Sequence, residues 1–177
     1  VRLDKDWALQ NPQDYVYAFV ETVRQIVQET REEVPVEDIV GIGVDFTSCT
    51  IMPVKSDGTP LCQIPSLKRN PHSWVKLWKH HAAQTDANQL NEIAASLPNS
   101  FLPRYGGKIS SEWLFPKLMQ ILREDPDIYE EMDRFIEATD WIVWQLTGKE
   151  VRNSCTAGYK AIWHKQTGYP ERDFFKQ

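Results

Sequence analysis

Residues 39–44, Ile39-Val40-Gly41-Ile42-Gly43-Val44, carry no polar side chain and run straight into Asp45. A stretch that is apolar on both faces suits a buried strand of a parallel sheet, with helices covering the sheet on either side. With the helical and strand signals around it, this run predicts a mixed α and β chain. The two glycines predict that something packs closely against the strand. They do not make a dinucleotide fingerprint, because the third glycine is missing and both lie within the strand, not in the turn after it.

Helical signals flank the run. Asn11-Pro12 pairs a good N-cap with a residue suited to the first helical position. Tyr15, Ala18, Phe19, Thr22, Val23, Ile26 and Val27 then recur at helical spacing, and Pro35 marks the exit. After the run, Thr50 to Val54 reads as a strand, Ser56-Asp57-Gly58-Thr59 as a turn, and Pro60 to Ile64 as the returning hairpin partner. Ser73 is expected to cap a helix carrying Trp74, Leu77 and Trp78. A further helix is expected over 86–96.

Another helix starts near Ser110 or Ser111 and carries Trp113 to Leu122, with Pro116 either close to the first turn or kinking it. Asp125-Pro126 opens a helix through about Arg134. Phe135 to Ala138 reads as a short strand. Asp140 is the expected cap of a helix over Trp141 to Leu146, which Gly148 stops. Residues 150–163 read as extended, and a last helix is expected at Phe174-Phe175. No repeat or linker interrupts the pattern, so a single domain is expected.

Composition narrows the function. The chain has 177 residues, 41% hydrophobic and 25% charged, with a net charge of −5. That is ordinary for a globular protein with a core of its own. An acidic balance with scattered basic residues disfavours nucleic acid as a partner. No apolar run is long enough to span a bilayer, so no membrane partner is expected. Three scattered cysteines, Cys49, Cys62 and Cys155, suit a reducing cytoplasm better than a disulfide framework.

The residues alone say little about chemistry. His80-His81 are adjacent, so they point in different directions on a helix. They read as surface or substrate-facing side chains, not as metal ligands. Cys49 reads as a small buried residue. The seven tryptophans read mostly as core, with one or two free to contact a ligand. The loop from Asp45 through Thr47 and Ser48 to Thr50 stands out. It leaves a buried strand at its carboxyl end, where ligands bind in open α/β sheets, and gathers hydroxyls with one carboxylate. The plain alternative is a local Asx or Ser/Thr turn.

Five blocks, in order, carry a family resemblance: Val40 to Thr50, Asn70 to His81, Arg104 to Trp113, Glu137 to Trp141, and Ser154 to His164. Together they resemble the ribulokinase branch of the FGGY carbohydrate kinases over essentially the whole chain. The resemblance implies an α/β fold, part of an actin-like, ribonuclease-H-like ATPase domain with a mixed sheet flanked by helices, the sugar-binding N-terminal one. It implies phosphorylation of L-ribulose with Mg-ATP in arabinose breakdown. By this reading residues 1–177 are a partial domain. The first phosphate-loop strands, the catalytic base and the C-terminal ATP domain lie outside it, and the chain alone is expected to be inactive.

Carried over by position, Ser48 lines the ketose pocket and Lys160 touches the sugar. Asp45, Thr47 and Trp78 are weaker substrate-binding candidates. No catalytic residue and no metal ligand is assigned. The expected partners are a pentulose and ATP, with a homodimer as the expected assembly. Two alternatives stay open: an FGGY kinase for D-ribulose or another polyol, and a ketose-binding module without catalysis.

Overall fold

The computed structural model describes residues 4–176. Its centre is a four-stranded sheet of β1 (Leu9–Gln10), β2 (Ile51–Val54), β3 (Val75–Lys76) and β4 (Arg134–Glu137), in the order β1-β3-β2-β4. Every pairing among the described residues is antiparallel. β2 and β4 match from Ile51 opposite Glu137 to Val54 opposite Arg134. β3 meets β2 only at Ile51, opposite Lys76. Pro53, which has no N–H to donate, therefore sits where β3 asks nothing of it.

The helices are α1 (Pro12–Thr30), α2 (Gln84–Ser96), α3 (Leu114–Glu124), α4 (Pro126–Glu131), α5 (Ala138–Thr147) and α6 (Ser154–Lys160). The two Asx-Pro signals work as expected. Asn11 accepts from the Gln13 amide at 3.2 Å and Asp125 from the Ile128 amide at 3.2 Å. Pro116 falls in the first turn of α3, where its missing N–H costs nothing. Gly148 ends α5 at φ 68°, a left-handed angle that glycine takes without strain.

The core has three parts. Met52, Val54, Val75, Ile136, Trp141 and Ile142 fill the space between the sheet and α5, with Tyr15 and Val16 of α1 against them. Leu90, Ala94, Leu102, Ile109, Ile162 and Phe174 form a second cluster around α2. Leu61, Ile121 and Ile128 form a third, under α3 and α4. The turn at 56–59 is pinned to the first part. The Trp141 indole N–H donates to the Gly58 carbonyl at 2.8 Å, and a Cβ on Gly58 would come within 3.1 Å of the Gln145 side chain.

Several expectations are corrected. Residues 39–44 form no strand: Val40 is fully exposed and Ile42 is 60% exposed. A strand apolar on both faces needs partners along its edges and layers above and below. Among the described residues this segment pairs with no strand and only Val44, at its end, packs against the core, while nothing approaches Gly41 or Gly43 within 4 Å of where a Cβ would sit. Residues 60–64 meet β2 through a single bridge, Val54 opposite Pro60, before a 3-10 turn at Leu61–Gln63 carries the chain away.

The expected helix at Ser73 is a 3-10 turn followed by β3. The Ser73 hydroxyl is taken by the carbonyls of Leu67 and Asn70, so it caps nothing. α4 stops at Glu131, before Arg134. α5 begins at Ala138, two residues before Asp140, which turns instead to the Asn153 amide at 2.9 Å. Residues 150–163 contain α6, which Asn153 caps. The last element, Phe174–Lys176, is 3-10. On α1, Ala18, Thr22 and Ile26 of the expected apolar face are exposed, and only Pro12 is fully buried.

Trp141 is 1% exposed, so its lost N–H cannot be replaced by water. Trp141→Phe should lower the unfolding free energy by about 1–3 kcal/mol, since it strands the Gly58 carbonyl as well as removing ring area. Urea denaturation at fixed pH measures this, and an unchanged midpoint would show that the indole bond is not holding the turn.

Candidate functional site

The loop between residues 45 and 50 is built around one peptide unit. Cys49 is fully buried and has φ 70°, an uncommon angle for a residue with a Cβ. Its amide donates to Glu137 Oε2 at 2.9 Å. Its carbonyl accepts from the Lys117 ammonium at 2.6 Å. Glu137 is the last residue of β4, directly opposite Ile51, so the sheet register delivers it beneath the loop. Lys117 comes from the first turn of α3 and also donates to the Leu77 carbonyl at 2.9 Å.

Burial dominates the protonation of these groups. It pushes the Glu137 carboxyl up to about 7, against the pull of the Cys49 amide and the Lys117 charge. It brings the Lys117 ammonium down to about 8. The Cys49 thiol rises to about 12, through burial and then the Glu137 charge, so it is a poor nucleophile. Glu137 Oε1 is buried and has no hydrogen-bond partner among the described residues.

Lys160 ends α6. Asn153 sets that helix by accepting from the Cys155 amide at 2.7 Å and the Thr156 amide at 3.3 Å. The chain turns sharply after it. Ile162 has φ 51°, a costly angle for a β-branched residue, and the Trp163 amide folds back onto the Ala157 carbonyl at 3.1 Å. The Lys160 side chain is 18% exposed, and its ammonium lies 3.8 Å from Glu112 Oε2. Glu112 also faces His81 at 3.7 Å. A cavity of about 920 Å³ opens beside Lys160, walled by Arg104, Tyr105, Trp113, Cys155, Trp163 and His164 among others. Aromatic faces beside one ammonium suit a polyhydroxylated ligand, with the cation donating to its oxygens.

Ser48 is not part of that cavity's wall. The Lys160 charge is near enough to favour the ionised forms of both Cys49 and Glu137. Ser48 itself is half-buried, its hydroxyl 3.9 Å from the Cys49 sulfur. Thr47 is exposed, and its hydroxyl bonds the Thr50 hydroxyl at 2.8 Å. Asp45 is exposed. Trp78 is 42% exposed and takes no part in the cavity wall. His80 is corrected outright. It is a core residue, bonded to Gln120 at 2.8 Å and accepting from the Ala8 amide at 3.3 Å.

Among the described residues no three His, Cys, Asp or Glu side chains are placed to hold a metal. Nor is any helix long and apolar enough to cross a membrane. Sequence reasoning missed Glu137, Lys117 and Glu112. Each lies inside or beside a matching block, but a lone Glu or Lys reads as a solvated side chain, and only the fold buries the first two.

Against this geometry stand the comparisons with known proteins. Residues 2–164 match the N-terminal domain of the FGGY family of carbohydrate kinases. The chain belongs to that family. It is similar to the ribulokinase of Anoxybacillus flavithermus, 57% identical over 176 residues. It is also similar to that of Geobacillus thermodenitrificans, at 58% over 176 residues. Each alignment covers 99% of this chain and 31% of the relative, so the chain spans about a third of the length of the curated relatives it matches. A crystal structure of a xylulose kinase from Brucella ovis shares the fold with a TM-score of 0.68 at 19% identity, covering 84% of this chain and 28% of that one. FGGY carbohydrate kinases use ATP, generally with a divalent metal.

The raised Glu137 carboxyl has a signed consequence. Its folded value of about 7 lies above the ordinary 4.5, so between those limits the folded state holds a proton the unfolded state has lost. Stability from this group therefore falls as pH rises through that window, by up to about 3 kcal/mol. The difference in unfolding free energy between the parent chain and Glu137→Gln should shift against the parent from pH 4.5 to pH 7. A pH-independent difference would mean the carboxyl titrates normally.

Proposed function

We propose that this chain forms the pentulose-binding part of a ribulokinase, an enzyme that transfers the terminal phosphoryl group of ATP to L-ribulose and yields L-ribulose 5-phosphate. The observation that carries this reading is Lys160, an ammonium set among the aromatic walls of a cavity. It is supported by identity of 57–58% to ribulokinases across nearly the whole chain.

The division of labour follows from chemistry. Phosphoryl transfer asks a protein mainly to position the acceptor and to stabilise spreading negative charge. The described residues take the acceptor side. Lys160, its long side chain steadied by Glu112, donates to sugar oxygens. The buried turn at 47–50 presents a small, shaped surface at Ser48, and Asp45 and Thr47 lie at its exposed edge. ATP, with magnesium as its metal, supplies the phosphoryl group. The described residues offer no carboxylate cluster for that metal. Binding and reaction are placed in the cytoplasm, where ATP and free thiols coexist.

In the complete kinase, Lys160→Ala should raise KM for L-ribulose by roughly tenfold or more while kcat falls less, as for loss of a charged hydrogen-bond donor to bound substrate. Lys160→Arg should recover little, because a planar fork does not replace a compact ammonium. Steady-state kinetics across L-ribulose, D-ribulose and other pentuloses checks both points. An unchanged KM removes Lys160 from the sugar site, and a higher kcat/KM for another pentulose reassigns the substrate.

A further inference from the structure

The two groups that grip Cys49 have no evident purpose if this loop is only a connection. A non-glycine residue at φ 70° persists only where its surroundings over-determine it. Here they do, from opposite sides. The amide is held by Glu137 and the carbonyl by Lys117, from positions 88 and 68 residues away in sequence. Both side chains are buried, Glu137 at 4% exposure and Lys117 at 0%. Burying a carboxylate and an ammonium is costly, and Glu137 keeps one oxygen unpartnered among the described residues. A neutral turn with glycine at 49 would avoid all of this. The residue immediately before the gripped peptide is Ser48.

We infer that Glu137 and Lys117 are positioning residues for sugar recognition: acting on the two ends of the Cys49 residue, they hold the Ser48–Cys49 turn in the one backbone shape that fits the pentulose. This rests on the functional reading above and extends it to two residues that never touch the sugar. Glu137 acts through the Cys49 N–H, Lys117 through the Cys49 carbonyl. Lys117 also grips Leu77, so the same ammonium ties the turn to the end of β3.

The test is a rescue experiment in the complete kinase. Glu137→Leu removes the acceptor and should raise KM for L-ribulose roughly tenfold, with kcat changed less, the order expected when a left-handed non-glycine residue loses its support. Glu137→Gln keeps an oxygen for the Cys49 amide and should stay within about threefold of wild type on the same grounds. Adding Cys49→Gly to Glu137→Leu should recover most of the lost KM, because glycine takes positive φ unaided. Adding Cys49→Ala should not. Equal recovery by glycine and alanine, or none by glycine, overturns the inference.

A second measurement needs neither a foldable Glu137→Leu protein nor any sugar. With the grip intact, Cys49→Gly should melt at or above Cys49→Ala, since alanine must be held against its preference and glycine need not. A Cys49→Ala protein that melts higher overturns the claim that the two buried side chains hold a strained turn. A wild-type kinase inactive on L-ribulose would sink the substrate reading, and the melting comparison would still decide the grip.

Discussion

An ammonium with no exposed surface has to find acceptors inside the protein, and Lys117 finds two carbonyls. One belongs to Cys49 in the loop before β2, the other to Leu77 just after β3. Because Lys117 is on α3, one side chain fixes a helix, a strand end and a loop relative to each other. Burial of a charge is rarely favourable in itself, but removing one partner of a buried charged hydrogen bond is strongly unfavourable. The arrangement therefore resists alternatives more than it adds stability. Glu137 repeats the logic from the other side, delivered by the β2–β4 register.

The rest of the sheet is consistent with that constraint. β2 carries a proline and is only four residues long, yet it is fully buried and, among the described residues, is the only strand joined to both β3 and β4. Its N-terminal end receives Glu137, Lys117 and the Cys49 turn. Its C-terminal end receives the 56–59 turn, pinned by Trp141. Charged hydrogen bonding is concentrated at the first end and apolar packing at the second.

What could be read from the sequence was what local chemistry decides. Asn11-Pro12, Asp125-Pro126 and Gly148 set helix ends through contacts within a few residues, and those expectations held. α6 carried a comparable signal at Asn153, but Thr156 and Gly158 are weak helix formers and masked it. Residues 39–44 failed for the opposite reason. Their pattern describes an environment, and an environment depends on partners distant in sequence. The candidate site divides in the same way. Ser48 and Lys160 emerged from matching blocks of sequence. Glu137 and Lys117 could not, since their meaning lies in a single peptide unit that only the fold brings between them.

The three thiols end up in very different surroundings. Burial holds Cys49 near 12 and Cys62 near 11, out of reach of ordinary alkylating reagents. Cys155 is exposed and stands on the wall of the cavity beside α6. That leaves one exposed thiol, at the rim of the cavity. A small fluorophore placed there would report directly on what enters the cavity, without any residue having to be engineered in or out.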